Sequence, residues 1–519
     1  MATQAAALTP SPGFDVAERS VAELQAAMAS GKVSARQLVQ LYLARIHAID
    51  RGGPQLNAVI ELNPDALDIA AAMDTERRAK GPRGPLHGIP VLLKDNIATA
   101  DKMQTTAGSL ALVGMKPPRD AALVTRLRNA GAVILGKTNL SEWANIRSTR
   151  STSGWSARGG LTRNPYALDR NTSGSSSGSG ASMAASLAAV AVGTETDGSI
   201  TSPSSVAGLV GLKPTVGLVS RAGIIPISHS QDTAGPMTRT VADAAVLLTA
   251  MAGSDLRDPV TAPADQKKSD YAQFLSKDGL KGKRIGVVRS QLAGTSDALA
   301  AVVETQLAVL RAQGATLVDI DEVPNSSKYG ESELTVLLYE LKADMAAYLA
   351  EYGPNAPIKT LADVIAFNDR HRAQEMPFFG QEHFVQAQKK GGLDSQEYLD
   401  ALANNHRYSR AEGLDQVLKQ HQLDALVAPT GGPAWLTDLI NGDASGGSFT
   451  SPAAVAGYPH ITVPCGAVNG LPIGLSFVGG AWTEGPLIAM AYAYEQASRQ
   501  RRPPTYAKSL NPTPPAGLQ

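Results

Sequence analysis

The stretch Asn171 to Thr201, NTSGSSSGSGASMAASLAAVAVGTETDGSIT, is dense in hydroxyl side chains, and a serine hydroxyl becomes a nucleophile once a base takes its proton. Up to Ser186 nearly every residue is Ser, Gly, Ala, Thr or Asn, groups that permit close backbone approach and supply almost no core. Three readings compete. A flexible Ser/Gly linker is flanked by solvated sequence, whereas this stretch runs into an Ala-rich helix expected over Ala181 to Val192. A phosphate cradle at a helix N-terminus calls for a Lys after the last Gly, and Gly180 is followed by Ala181 and Ser182. A hydrolase nucleophile fits Gly174-Ser175-Ser176-Ser177-Gly178 as G-x-S-x-G, although that elbow needs a strand before it and Arg163 to Thr172 reads as loop.

The run SGSSSGS followed by GTETDGSI resembles the Ser/Gly core of the amidase signature family, whose members cleave amides with a serine, a second serine in a cis peptide, and a lysine. The resemblance places the cis serine at Ser175, after Gly174, and the nucleophile at Ser199, 199 − 175 = 24 positions on. The lysine is Lys94, at the end of the apolar run Pro90-Val91-Leu92-Leu93 and before Asp95-Asn96. It further implies an oxyanion hole from the backbone of Thr196, Asp197 and Gly198, a supporting hydroxyl on Thr194, and Ser153 and Gly154 against the substrate. The blocks NLSEWAN, SGWSARGG, LKPTVGL and SQDTAGP extend the likeness densely over residues 20–250, and it returns at 423–500. Within the family, TETDGSI, SGWSARGG and GIIPIS are most similar to bacterial members that release ammonia from the C-terminal carboxamides of peptides. Ser173 and Ser177 stand where the family more often has Gly, and Thr201 where many members have Arg.

The chemistry asks for a base within reach of the serine. A lysine at its reference pKa of about 10.4 is charged and accepts no proton, so burial beside Leu92 and Leu93 must disfavour the charge on Lys94. Lys94 then takes the proton of Ser175 while Ser175 takes that of Ser199.

These groups need rigid elements behind them. Ser20-Val21-Ala22-Glu23 and Ser34-Ala35-Arg36-Gln37 have capping-box form and open two helices, and Ala66 to Lys80 reads as a third. A short apolar run at 58–62 precedes the strand that carries Lys94, and helix then strand recurs at 120–131 and 132–135, at 295–314 and 315–320, and at 411–420 and 425–428, with further strands at 284–288, 461–465 and 473–478. That order predicts an α/β fold, a single large domain over 14–510 whose mixed, mostly parallel twisted sheet is covered by helices on both faces. Residues 260–420 match the family poorly and are expected to shape access to the site, with Tyr339, Phe367, Phe378, Phe379 and His383 read first as packing.

Lys+Arg and Asp+Glu are both 47, so bulk charge recruits neither nucleic acid nor a membrane surface, and a small-molecule or peptide amide is the expected substrate. The one cysteine, Cys465, sits in the apolar run ITVPCG as a structural thiol. The eight histidines show no paired ligand spacing, and no metal or cofactor is expected. A monomer or homodimer is expected, cytoplasmic by default, with the periplasm or secretion open if an export signal has been removed. Three rivals stay open, the catalytic subunit of a transamidating complex, a catalytically silent binding module that keeps the Ser/Gly loop as an anion nest, and a His-dependent serine hydrolase built from Ser176, His229 and Asp232, and within the family the alternative activity is that of a general aryl-amide, urethane or ester hydrolase.

Overall fold

The computed structural model describes residues 13–293 and 295–510, and its frame is an eleven-stranded sheet. From edge to edge the strands are Val59–Leu62, Val133–Thr138, Pro90–Lys94, Val190–Glu195, Thr233–Thr238, Val210–Lys213, His460–Val468, Leu471–Val478, Ala425–Pro429, Arg284–Val288 and Thr316–Ile320. Helices flank it, and the two N-terminal ones begin at capping boxes built by Ser20 with Glu23 and by Ser34 with Gln37, as their sequences predict. Ala66–Lys80 is helical over the predicted span.

The α/β class and the mixed sheet match expectation. Of its ten pairings, four are parallel, and they lie in two blocks: Val133–Thr138, Pro90–Lys94 and Val190–Glu195 in one, Ala425–Pro429, Arg284–Val288 and Thr316–Ile320 in the other. The other six are antiparallel, so parallel pairing is narrower than the helix–strand alternation implies. Two physical facts account for this. Asn469 and Gly470, at φ 50 and 82, close a two-residue hairpin between His460–Val468 and Leu471–Val478 that permits antiparallel pairing alone. Val210–Lys213 and Thr233–Thr238, absent from the predicted strands, add further antiparallel pairs at the centre.

Pro90–Lys94 is buried at every residue and pairs in parallel on both sides, Leu93 opposite Val192 and Lys94 opposite Thr138. The helix expected over Ala181 to Val192 lies instead over Ser177–Ala184. Ser186, at φ 53, breaks the chain, and the apolar run that follows becomes the buried strand Val190–Glu195. The Ser/Gly stretch is therefore interior and not a linker: Ser175, Ser176, Ser177 and Ser179 are fully buried. Gly178 shows why small residues are needed there, since a Cβ on it would lie 2.3 Å from the Ala58 carbonyl oxygen and 2.5 Å from that of Asn139.

Candidate active site

Lys94 ends its strand with its side chain fully buried, and the neighbouring parallel strand brings Thr194 beside it at the same carboxyl-terminal edge of the sheet, where open α/β sheets place ligands. Its Nζ reaches Ser175 Oγ at 2.7 Å, Thr194 Oγ1 at 2.9 Å and the Thr194 carbonyl at 3.2 Å. All three partners are neutral. Burial pushes the Lys94 pKa down to about 7, and the more distant Asp232 and Glu195 charges offset only part of that. Asn96 Nδ2 donates to Thr194 Oγ1 at 3.0 Å and fixes that hydroxyl, a contact the sequence reading did not single out although Asn96 lies in the same block as Lys94.

The Gly174–Ser175 peptide is cis, as the resemblance implies. A Cβ at Gly174 would meet Ser141 Oγ at 2.2 Å, so no larger residue fits. Ser173 stands at φ 56, the left-handed region, which explains in this chain why glycine suits the position. Ser177, at the other departure from the family pattern, uses its hydroxyl to donate to the Ser173 carbonyl at 2.7 Å.

Ser199 lies just ahead of the helix Thr201–Val206 and is nearly buried, and its carbonyl accepts from Ser176 N at 3.1 Å, which ties the segments of Ser175 and Ser199 together. Gly198, at φ 78, turns the chain where a Cβ would press on Ser202 Oγ at 2.9 Å. Thr196 Oγ1 donates to Asp232 Oδ1 at 2.6 Å, and Ser451 Oγ donates to Asp197 Oδ2 at 2.6 Å, so the loop is pinned from both sides. Burial raises the Asp232 pKa to about 6, against the lowering effect of the bonds from Thr196, Ser228 and Ile227. Thr201 finds a partner of its own: its N–H and that of Ile200 donate to Glu195 Oε2 at 2.9 and 2.8 Å.

Ser153 and Gly154 lie on the other side of Gly174. Ser153 Oγ is 3.1 Å from where a Gly174 Cβ would stand, and Gly154 takes φ 87 against Thr172. Asp443 and Gln231, which sequence reasoning missed, complete the surroundings. Asp443 holds Ser153, and Gln231 Nε2 donates to the Thr196 carbonyl at 3.3 Å and to Glu333 Oε1 at 2.9 Å. Asp443 carried no signal, being one acid in the Gly/Ser-rich run GDASGGS, whereas Gln231 sits inside the quoted SQDTAGP block.

The Ser176, His229 and Asp232 arrangement does not form. Ser176 Oγ is spent on the Thr194 backbone, donating to its carbonyl at 3.1 Å, while His229 lies between Asp344, 2.9 Å from Nδ1, and Glu340, 3.2 Å from Nε2. Partial burial opposes a charge on that ring, but the hydrogen bond to Asp344 and the two carboxylates outweigh it and raise the His229 pKa. The three groups lie close enough to hold a cation, yet both ring nitrogens already face a carboxylate. Among the described residues no helix is long and apolar enough to cross a membrane.

The buried Lys94 beside Ser175, with Ser199 on the adjoining glycine turn, suits amide-bond hydrolysis. The chain belongs to the amidase family, whose model, described as Amidase, matches residues 37–488. It is 42% identical over 503 residues to a probable amidase of Arabidopsis thaliana, covering 95% of this chain and 92% of that one. It is 36% identical to a glutamyl-tRNA(Gln) amidotransferase subunit of Chloroflexus aurantiacus, covering 92% and 96%. Among solved structures, the native peptide amidase of Stenotrophomonas maltophilia superposes with a TM-score of 0.91 at 55% identity, over 95% of this chain and all of that one.

Proposed function

We propose that the chain hydrolyses the C-terminal carboxamide of peptides, releasing ammonia, through Ser199, Ser175 and Lys94. The observation that carries the reading is the donor arithmetic at Lys94. A neutral amine has two N–H donors and one lone pair. The Thr194 carbonyl only accepts, and Thr194 Oγ1 lies in donating reach of Nζ, so the two N–H groups are spent there and the lone pair faces the Ser175 hydroxyl 2.7 Å away. Ser175 passes its proton to Lys94 as it takes one from Ser199, and Ser199 Oγ adds to the carboxamide carbon. The oxyanion forms in the turn of Thr196, Asp197 and Gly198, where backbone N–H groups supply the stabilisation. The proton then returns through Ser175 to the departing nitrogen, ammonia leaves, and water repeats the path to free the acid.

Preference for a peptide amide is supported by the 55% identity to the Stenotrophomonas maltophilia peptide amidase. The test is a panel of a dipeptide amide, an aryl anilide and a carbamate, read by ammonia release and by mass spectrometry. Ammonia from the dipeptide amide with its internal bond intact is expected. Cleavage between the two residues, or a preference for the anilide, rejects the peptide-amide assignment. The transamidating alternative is separated by the same assay, since turnover by the isolated chain without ATP or a second polypeptide excludes any need for a complex.

A further inference from the structure

Beside the cis peptide lies a cavity of about 160 Å³, bordered by Asn145, Ser153, Gly174, Ser202, Trp435 and Asp443. Two of its polar atoms are set in an unusual way. Asn145 Oδ1 is buried and accepts from nothing among the described residues. It is held by a chain segment in which Trp143, Ala144 and Asn145 take φ 52, 51 and 76, three left-handed residues in a row, a conformation disfavoured for Trp and Ala and adopted by Asn as a single residue and not in a run. Strain of that kind persists where the surroundings fix a side chain for a purpose.

The second atom is Ser153 Oγ, whose own hydrogen is committed. It donates to Asp443 Oδ2 at 2.5 Å, and Asp443 in turn accepts from Ser153 N at 3.1 Å, Asn171 Nδ2 at 3.2 Å and Trp435 Nε1 at 3.2 Å. Every one of these partners is a donor, so the carboxylate has no proton to give back. Asn145 Nδ2 approaches Ser153 Oγ at 3.4 Å from the other side, again as a donor. The hydroxyl is left with lone-pair density toward the cavity and no hydrogen to offer there.

We propose that Asp443 fixes Ser153 as an acceptor, and that Ser153 Oγ and Asn145 Oδ1 together form a subsite that reads N–H groups next to the scissile bond and so selects amides over esters. The proposal rests on the reading of Ser199 and Lys94 above and adds two residues, Asn145 and Asp443, that position or make the contact. An amide nitrogen brings hydrogens to both acceptors. An ester oxygen brings lone pairs against lone pairs, and a buried acceptor left unpaired is costly.

The experiment measures kcat/KM on a matched pair, an N-acetyl dipeptide amide and its methyl ester. Asp443→Asn keeps the shape, and because Trp435 and Asn171 require an oxygen at the Oδ1 position, its NH₂ faces Ser153 Oγ and turns the serine hydrogen into the cavity. The amide-to-ester ratio is expected to fall about 10- to 100-fold, as for one or two unpaired hydrogen bonds, and Asn145→Leu is expected to move it the same way. If Asp443→Asn does not fold, by its thermal melt, Ser153→Ala supplies the same readout through loss of the acceptor. Equal loss on amide and ester, or an unchanged ratio, overturns the proposal. Failure of the underlying reading is seen separately, as amide hydrolysis that survives Ser199→Ala.

Discussion

The Ser/Gly segment 171–201 and the helical region 330–414 solve opposite problems. In the first, hydroxymethyl and hydrogen side chains allow close approach, Gly178 to the backbone of Ala58 and Asn139, Gly198 to the Ser202 hydroxyl and Gly174 to that of Ser141. In the second, long side chains carry the contacts. Glu340, fully buried on the helix Gly330–Tyr352, accepts from the hydroxyls of Ser228 and Ser230, from Ser230 N at 3.0 Å and from Tyr398 at 2.7 Å. Tyr339 lies 5.6 Å from Tyr398, ring to ring, and Phe378 and Phe379 meet Trp155 edge-on at 5.5 and 5.2 Å. On the function proposed above, the difference separates where the reaction is carried from what holds it in place. The two meet through the loop 228–232, which Glu340 grips on one side while Gln231 and Asp232 bond Thr196 on the other.

Removing the hydroxyl of Ser199 from the first region, or the amine of Lys94 beside it, should therefore abolish chemistry while sparing the fold. Ser199→Ala and Lys94→Ala are expected to lower kcat by about 10⁴-fold or more with an unchanged denaturation midpoint, and the double variant should be no worse than either, since the groups act as a unit. Ser175→Ala should retain more, a water standing in for the relay. Wild-type turnover in Ser199→Ala breaks the assignment outright.

In the helical region the order reverses. Glu340→Ala leaves three hydroxyls, one N–H and the His229 ring without their acceptor, and a loss of roughly 3 kcal/mol in stability is expected, measured by urea titration. A fall in kcat should accompany it, because the loop that pins Thr196 is released. Full stability with reduced kcat would give Glu340 a part in the reaction itself.

The Lys94 pKa of about 7 sets an acid limb. The base must be neutral, so kcat/KM should be flat above that value and fall about tenfold per unit below it. Lys94 shifts downward on burial, hence protonation with falling pH removes the active form. A profile flat to about pH 4 contradicts a lysine base, since it demands a larger shift than the roughly five units known for buried lysines. The smallest effect belongs to Ser173→Gly. Relief of a left-handed serine and added freedom in the unfolded chain nearly cancel, and stability should move by less than about 1 kcal/mol with activity retained.

The two regions also differ in how far their roles could be read from residues alone. Lys94, Ser175 and Ser199 stand in runs whose composition departs sharply from ordinary core, and the structure brings Lys94 to Ser175 and ties the Ser175 and Ser199 segments together. The strands at Pro90–Lys94 and Arg284–Val288 were legible because a short apolar run bounded by turn residues has few other fates. Thr233–Thr238, TAGPMT, was not, because Gly and Pro argue against a strand unless its neighbours are known. The helix expected to reach Val192 stopped at Ala184, since an Ala-rich run followed by Val-rich sequence has no local mark of the break at Ser186. Glu340 and Asp443 lay beyond reach for another reason. Their partners are 112 and 290 positions away, Ser228 and Ser153, and a pairing at that distance leaves no pattern in either segment.

The close approach at Gly178 carries an evolutionary consequence. With the Ala58 and Asn139 carbonyls within 2.5 Å of any added Cβ, the helix that follows Ser175 has no room to drift. A lineage starting from this chain cannot reach new substrates by small steps at its centre, where one extra methyl group ends the path. Its open directions lie outward, along residues 444–448 and around Phe378, where side chains are exposed and exchanges are cheap. Such a protein inherits its reaction as a fixed unit and varies only what is presented to it.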